Sequence, residues 1–356
     1  MINLVAPINT LGYGVASSNI LQALWEKHGV VILYPIGQPE FTNDAILGAL
    51  QNQENPSKDF PVIKIWHQNE LHVLPEDLQG VKPLIGFPIF ELDKFSDDEV
   101  VSIEQCDKIF VCSHWAKNII INNTKFEDGD VHVVPLGVNT DIFKPNGLKG
   151  RPQTIFFNCG KWEKRKGHDV ILECFNAAFS HNDDVELWMM CDNPFIGEGN
   201  DKWRNLYQTS PLGHKIKIIP RQATHQDVYS IMSQVDCGVF PARAEGWNLE
   251  LLEVMACGKH VISTNYSAHT EFCNEDNCRL VAIENMETAY DGVFFNGQVG
   301  KWAEISDNQK DQIIAHMRDI HKAKQDGDLA INQAGVDTAN KFSWENSARE
   351  VVNGLV

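Results

Sequence analysis

The chain of 356 residues lacks several features that would assign it to a protein class at once. No apolar run approaches the ~20 residues that a transmembrane helix needs, and the first residues lack the charged and apolar regions of a signal peptide. The nine cysteines are scattered without a CxxC pair, which indicates reduced thiols and no disulfide framework. These absences predict a soluble, cytoplasmic protein without stable membrane insertion.

Basic residues are also scarce, because 30 Lys and Arg stand against 48 Asp and Glu, a formal net charge of -18. An anionic surface repels phosphate backbones and anionic lipids. The composition therefore excludes a broadly basic nucleic-acid or membrane-surface binder.

Short apolar runs rich in Val and Ile alternate with amphipathic stretches of helical length. This alternation is typical of parallel strands buried on both faces and joined by helices. Strands are predicted at 2–6, 30–34, 62–66, 83–87, 108–112, 131–134, 154–159, 185–191, 215–219, 236–240, 260–264 and 279–283. Helices are predicted at 15–28, 168–179, 225–234, 248–257 and throughout the tail from about 307.

The alternation stops at residues 139–152, where two prolines and two glycines indicate a linker. We therefore expect an α/β protein of two doubly wound, Rossmann-like domains facing each other across a cleft, with C-terminal helices. The predicted domains are 1–145 and 146–340, followed by a helix at 341–356 that packs back on the first domain. In such sheets ligands bind beyond the carboxyl ends of the strands.

The most informative segment is 240–264, which reads as a strand end, a loop, a helix, a glycine stop and another strand. Asn248 suits the N-cap, and the helix start would present free N–H groups and a positive dipole end to a diphosphate. Glu245 in the loop could hold a sugar hydroxyl, and Glu253 within the helix could accept hydrogen bonds from a ribose diol. The alternative is that both glutamates lie on the surface of an amphipathic helix, and spacing alone favours it.

A second segment, 156–169, places Lys161, Lys164, Arg165 and Lys166 between a strand end and a helix. In so acidic a chain, a local cationic cluster at a strand's carboxyl end could neutralise a departing nucleotide diphosphate. The alternative is a solvated run of charges before a helix, and the sequence does not decide between the two.

The second half of the chain resembles the C-terminal domain of family 4 retaining glycosyltransferases, which have the GT-B fold. The resemblance lies in the segment CGKWEKRKG, which is followed by EGWNLELLEVMACGKHVIS. The N-terminal half agrees in its glycine turn at 12–14, in WHQN at 66–69, and in CDKIFVCSHWAKNII followed by VVPLGVNTDIFKP. The resemblance covers about residues 1–300, and five motifs in one order are more specific than any single motif.

The resemblance implies site residues only where this chain matches the family. Glu253 would bind the nucleotide ribose, Glu245 the donor sugar, Lys166 the diphosphate, and His67 the donor sugar near the reacting carbon. Lys161 stands where family members carry Arg, so it keeps the charge without the bidentate fork. The catalytic set is then His67, Lys166 and Glu245. The other donor or nucleotide contacts are Gly12, Gly14, Gly160, Lys161, Gly246, Trp247, Asn248, Leu249 and Glu253.

The implied reaction transfers a sugar from a nucleotide diphosphate to a hydroxyl with retention of configuration. The family pattern offers no clear carboxylate nucleophile, so we favour attack from the face of the departing phosphate. Lysines take the place of a metal cation. We therefore expect no essential metal ion and no cofactor beyond the nucleotide-sugar co-substrate.

The acceptor stays open among a glycan, a protein, a small molecule and a hydroxylated DNA base, the last being the only expected nucleic-acid partner. Glu91, Asp93 and His114 lie where acceptor-facing loops should be, although a helix N-cap and ordinary loop polarity explain them equally well. Two other functions of the same fold stay open: a nucleotide-sugar 2-epimerase and a non-catalytic nucleotide-sugar-binding subunit. The donor base, the oligomeric state and any nucleophile cannot be read from the sequence.

Overall fold

The computed structural model describes residues 1–29, 31–54, 58–147 and 151–356. They form two compact units, of which unit 1 holds Met1–Gly137 with Phe342–Val356 and unit 2 holds Val138–Lys341. The chain therefore passes from one unit to the other twice. Within the described residues, no helix combines the length and the apolarity needed to cross a lipid bilayer.

Unit 1 is built on six parallel strands in the order β2-β1-β3-β4-β5-β6. The strands are β1 (Ile2–Ala6), β2 (Val31–Pro35), β3 (Val62–Ile65), β4 (Leu84–Phe87), β5 (Lys108–Val111) and β6 (Val131–Val133). The helices between them are α1 (Gly12–Lys27), α2 (Asp44–Gln51), α3 (Asp97–Ile103) and α4 (His114–Asn123). Parallel neighbours need crossover connections, and these helices supply most of them.

Unit 2 repeats this plan with six parallel strands in the order β12-β11-β10-β7-β8-β9. They are β7 (Thr154–Gly160), β8 (Val185–Cys191), β9 (Ile216–Ile218), β10 (Cys237–Phe240), β11 (His260–Thr264) and β12 (Arg279–Val281). An antiparallel hairpin follows, formed by β13 (Met286–Tyr290) and β14 (Asn296–Ala303). The helices are α5 (His168–Ala178), α6 (Gly199–Gln208), α7 (His225–Met232), α8 (Leu249–Ala256), α9 (Asp307–Asp326), α10 (Gln333–Lys341) and α11 (Trp344–Gly354), of which α11 belongs to unit 1.

The predicted α/β class, with two doubly wound parallel sheets and C-terminal helices, is confirmed. Every predicted strand has a counterpart whose ends differ by two residues or fewer among the described residues. Val30 of the predicted strand 30–34 and residues 148–150 of the predicted linker lie outside the described residues. The regularity of the strands explains this success, since a strand buried on both faces must be apolar throughout.

Four helices and the hairpin were not predicted. Helix α6 begins with polar residues, and helices α2 and α3 are short, so none of them shows a long apolar run. Local caps fix α2 and α3: Asn43 accepts a hydrogen bond from the Ile46 N–H, and Ser96 forms a capping box with Glu99.

The last helix, α11, packs against α1 and against the β5–β6 edge of unit 1. The Ser347 hydroxyl donates to the Pro135 carbonyl oxygen at 2.6 Å, two residues before unit 1 gives way to unit 2. The end of the chain therefore completes the unit in which the chain begins.

Candidate active site

The loop after β7 carries the cationic segment of the sequence. Gly160 ends the strand at φ 136°, in a region that residues with a side chain rarely adopt. A Cβ atom there would lie 3.2 Å from both Cδ and Cε of Lys166, so the lysine side chain passes directly over this glycine. Gly160 thus lets Lys166 fold back across the carboxyl end of β7.

Glu245 lies opposite this loop, in the segment that follows β10, and its carboxylate is held by two cations. Lys166 Nζ is 2.8 Å from Oε1, and Arg165 Nη1 is 2.8 Å from Oε2. Only 5% of Glu245 is exposed, so the interpretation of this residue as a surface glutamate is wrong. Burial alone would raise the pKa of Glu245, but Arg165 and Lys166 outweigh it and hold that pKa well below its usual range.

The ion pairs continue beyond Arg165. The guanidinium Nη2 is 2.8 Å from Glu163 Oε2, and Lys161 Nζ is 2.9 Å from Glu163 Oε1. We call these five residues, Lys161, Glu163, Arg165, Lys166 and Glu245, the charge chain, which carries three positive and two negative charges. Arg165 is 3% exposed, so the alternative of a solvated run of charges is wrong for the centre of this segment.

Lys166 keeps its charge in this setting. Burial would lower the pKa of Lys166, but the attraction of Glu245 and Glu250 outweighs it and raises the pKa. An ammonium that stays protonated in a largely dry site is suited to stabilising an anion there.

The start of α8 is fixed by a chain of side-chain hydrogen bonds. Asn248 adopts φ 86° and caps the helix, because its Oδ1 accepts from the Leu251 N–H at 3.2 Å. Its Nδ2 lies 2.9 Å from His269 Nε2, and His269 Nδ1 lies 2.8 Å from Ser263 Oγ. Since the capping oxygen of Asn248 is the acceptor, the amide nitrogen donates to His269, whose Nδ1 then carries the proton. The predicted N-cap is confirmed.

The residues just before α8 are buried, so their backbone is the part that can contact a ligand. Trp247 is buried, and its ring packs 5.0 Å from that of Phe272, so its side chain belongs to the core. Gly246 is buried beside it, and Leu249 opens the helix with its side chain partly exposed. Any ligand contact by Gly246 or Trp247 therefore involves main-chain groups.

Glu253 lies one turn further along α8 and is partly exposed. Burial, together with the negative charge of Glu250, raises the pKa of Glu253 well above its ordinary value. The role of Glu253 toward a ribose stays a prediction.

Several residues of this site were not predicted. Arg243 anchors the cationic loop, since its guanidinium binds both carboxylate oxygens of Asp169 at 2.9 Å and Glu287 of the hairpin at 2.9 Å. His168 accepts from the Glu163 N–H at 2.9 Å, and burial lowers its pKa to about 3. The sequence gives no signal for the partners of Arg243 beyond its position two residues before Glu245, because these pairings join segments 74 and 44 residues apart.

Among the unit 1 residues, Gly12 and Gly14 lie at the start of α1, after β1. A Cβ at Gly14 would lie 2.2 Å from Asn9 Oδ1, so this glycine is required by the protein's own packing. A Cβ at Gly12 would have nothing within 4 Å, and the roles of Gly12 and Gly14 toward a ligand stay predictions. His67 is exposed just after β3, and its side chain makes no cap to the turn that follows.

The residues proposed for the acceptor lie in the loops after β4 and β5. Glu91 and Asp93 are partly exposed, and His114 is exposed as the first residue of α4. The neighbouring Ser113 caps α4 by accepting from the Ala116 N–H at 3.2 Å. The capping explanation is confirmed for Ser113, and the roles of Glu91, Asp93 and His114 stay predictions.

No group of three or more His, Cys, Asp or Glu side chains is placed to hold a metal ion in the part of the chain that the structure describes. The chain does contain two Asp-x-Asp triplets, at 128–130 and 326–328. The first forms a turn before β6, and the second lies at the C-terminal end of α9. Neither belongs to the charge chain, and metal independence stays a prediction.

Comparison with known proteins places this geometry in context. Residues 152–293 match the family model described as glycosyl transferases group 1. An uncharacterized glycosyltransferase of Methanocaldococcus jannaschii is 24% identical over 241 residues, which are 67% of this chain and 56% of that protein. The GPI3 subunit of the phosphatidylinositol N-acetylglucosaminyltransferase of Saccharomyces cerevisiae is 20% identical over 171 residues, 46% of this chain and 36% of that subunit. The chain thus spans about half or less of the length of these two relatives.

The fold has counterparts among solved structures. HepE of Anabaena in complex with UDP-glucose superposes with a TM-score of 0.71 at 14% identity, over 99% of this chain and 98% of that one. At that identity the likeness concerns the fold. The chain therefore has the fold of the GT-B glycosyltransferases, and its residues 152–293 carry the sequence signature of glycosyl transferases group 1.

Proposed function

We propose that this protein is a retaining, metal-independent glycosyltransferase that moves a sugar from a UDP- or GDP-sugar to an acceptor hydroxyl. The observation that carries the proposal is the charge chain, in which Lys166 and Arg165 converge on Glu245 at the carboxyl ends of β7 and β10. The fixed start of α8 follows directly in the sequence. This edge of a doubly wound sheet is where such folds bind their ligands.

In the proposed reaction the bond between sugar C1 and the diphosphate oxygen breaks while the acceptor oxygen bonds to C1. The acceptor proton passes to the departing phosphate, so charge and atoms balance without a further reactant. Lys166, Lys161 and the N-terminal end of α8 stabilise the negative charge that develops on the diphosphate. Glu245 would hold the donor sugar, Glu253 the ribose, and His67 the sugar near C1.

The known proteins described above support this proposal. The archaeal relative is named as a glycosyltransferase, and HepE was solved with UDP-glucose. A nucleotide sugar is therefore the first donor class to assay with this chain.

The test is hydrolysis of a panel of UDP-, GDP- and ADP-sugars, followed for the wild type and for Lys166→Ala. We expect one donor to be hydrolysed slowly, and Lys166→Ala to lower the rate by about a hundredfold, as is usual when one contact to the developing charge is lost. Lys202→Ala is the matched control, because Lys202 is an exposed lysine of α6 in the same unit. Chelation by EDTA should leave the rate unchanged, and NMR of the transferred sugar should show the anomeric configuration of the donor.

Other outcomes would replace the proposal. Inversion of the free nucleotide sugar at C2 identifies a 2-epimerase, and binding without turnover identifies a non-catalytic subunit. Equal hydrolysis rates for Lys166→Ala and Lys202→Ala would remove the charge chain from the mechanism.

A further inference from the structure

Unit 1 carries three aromatic side chains at the carboxyl ends of two neighbouring strands. Trp66 and His67 directly follow β3, and Tyr13 lies in the first turn of α1, which follows β1. The ring centroids are 5.8 Å apart for Tyr13 and Trp66, 4.9 Å for Tyr13 and His67, and 4.8 Å for Trp66 and His67. Tyr13 and Trp66 are partly exposed and His67 is exposed, so the group presents aromatic surface to solvent.

Hydrogen bonds fix two of these rings. The Tyr13 hydroxyl donates to the Ile89 carbonyl oxygen at 2.7 Å and accepts from the Ile89 N–H at 3.0 Å. The Trp66 indole N–H donates to Glu70 Oε2 at 2.9 Å. Their orientations are therefore set before any ligand arrives.

The loop that carries Trp66 is anchored by hydrogen bonds to buried groups. Lys64 of β3 is 4% exposed, and its ammonium donates to the carbonyl oxygens of Glu70 and Val73. The Leu71 N–H donates to Ser102 Oγ of α3 at 2.9 Å. A loop that is anchored on buried groups while it presents a partly exposed tryptophan is preorganised for binding, which lowers the entropic cost of holding a ligand.

The charges of this region limit what can bind. Residues 1–150 contain ten lysines and no arginine, against nineteen Asp and Glu. Without an arginine fork and with an excess of carboxylates, an anionic ligand is disfavoured. Glu70 and Glu91 are close enough to act on Trp66 and Tyr13, the first by its hydrogen bond and the second through its charge.

An uncharged sugar suits this combination of groups. The C–H face of a pyranose ring is apolar and packs on aromatic rings, while its hydroxyls donate to carboxylates. We infer that Tyr13 and Trp66, flanked by His67, Glu70 and Glu91, form a carbohydrate-binding site for the acceptor. This inference rests on the proposed function, because the bound hydroxyl is the one that would attack C1 of the donor and lose its proton to the departing phosphate.

The first experiment measures binding without catalysis. Ligand-observed saturation-transfer NMR on the full chain uses methyl glycosides and disaccharides of glucose, galactose, mannose and N-acetylglucosamine as probes, without a donor. We expect at least one saccharide to bind the wild type and to lose its signal with Trp66→Ala. Glu76→Gln, an exposed acid in the same segment, is the matched control for Glu70→Gln, which should weaken binding. Thermal unfolding of each variant confirms that it is folded.

The second experiment measures transfer with the donor that the hydrolysis panel identifies. Trp66→Ala should raise the acceptor KM by about tenfold or more, with Trp66→Phe between the two. Transfer only to an oligonucleotide with hydroxymethylcytosine or to a Ser/Thr-rich peptide would overturn the inference. An acceptor KM unaffected by Trp66→Ala would overturn it as well. Absence of any donor hydrolysis would count against the proposed function, while the binding experiment would still decide the carbohydrate site.

Discussion

The two units use one architecture to build two chemically different sites. In unit 2 the carboxyl edge of the sheet holds the charge chain, in which the carboxylates of Glu163 and Glu245 are each paired with two cations. In unit 1 the corresponding edge holds aromatic rings, and the buried Lys64 binds backbone carbonyl groups.

This difference shows how a shared fold separates two binding tasks. A buried charge costs stability unless it is paired, so a fixed cationic site requires a network such as that of Arg165 with Glu163 and Glu245. Aromatic rings require no such network, and they can remain partly exposed. The parallel sheet positions both kinds of site at the same edge, and the loop residues decide the chemistry.

The largest expected effect comes from breaking the charge chain at Arg165. Arg165→Met leaves Glu163 and Glu245 buried with one cation fewer each, and we expect a loss of about 3–5 kcal/mol in the free energy of unfolding. Urea unfolding of the full chain measures the loss, and hydrogen exchange locates it in unit 2. Arg204→Met is the control, since Arg204 is a partly exposed arginine of α6 paired with Asp192 and Asp201, and it should cost less than about 1 kcal/mol. Equal costs would mean that the charge chain does not stabilise unit 2.

The second effect is a dependence of stability on pH that buried histidines impose on unit 2. Burial lowers the pKa of His269 to about 4 and that of His168 to about 3. In the unfolded chain both take up a proton near pH 6.5, so between pH 6.5 and pH 4 the unfolded state binds more protons and stability falls as the pH falls. For His269 the loss across this window is about 3 kcal/mol.

His269→Gln tests this directly, because glutamine can replace the hydrogen bonds of His269 but cannot be protonated. Urea unfolding at several pH values should give a shallower slope for the variant than for the wild type between pH 6.5 and pH 4. Identical slopes would show that His269 takes up its proton as readily in the folded chain.

The smallest expected effect on stability concerns Lys64, which anchors the loop after β3 in unit 1. Lys64→Met leaves the carbonyl groups of Glu70 and Val73 without this donor, and we expect a loss of about 2 kcal/mol with faster hydrogen exchange in residues 66–73. Lys94→Met is the control, because Lys94 is an exposed lysine in the same unit. Unchanged exchange in that loop would show that Lys64 does not hold it.

The repeated pattern of the sequence made much of the fold predictable. Strands such as 185–191 and 260–264 are found with the predicted bounds, because continuous apolar runs between polar loops admit few alternatives. The hairpin of β13 and β14 was missed because its strands are largely polar and pair only with each other. Asn248 and Gly258 were found as helix cap and stop because these depend on local backbone geometry, with φ 86° and 73°.

The candidate site was predictable only in part. Lys166, Glu245 and Glu253 stand in motifs that the sequence displays, whereas the roles of Arg165 and Glu163 depend on burial. A run of charged residues has the same sequence pattern whether its loop is solvated or buried. Arg243 and His269 gave no signal because their partners come from other segments of the chain.

The sequence by itself determined the strands of the two parallel sheets and the position of the cationic loop, because periodicity and caps are local properties. Only the tertiary structure decided which charges are buried and paired, and which aromatic rings of unit 1 meet. Burial and pairing depend on contacts between segments far apart in the chain, and these contacts set the free energy of every ion and ring at the two sites.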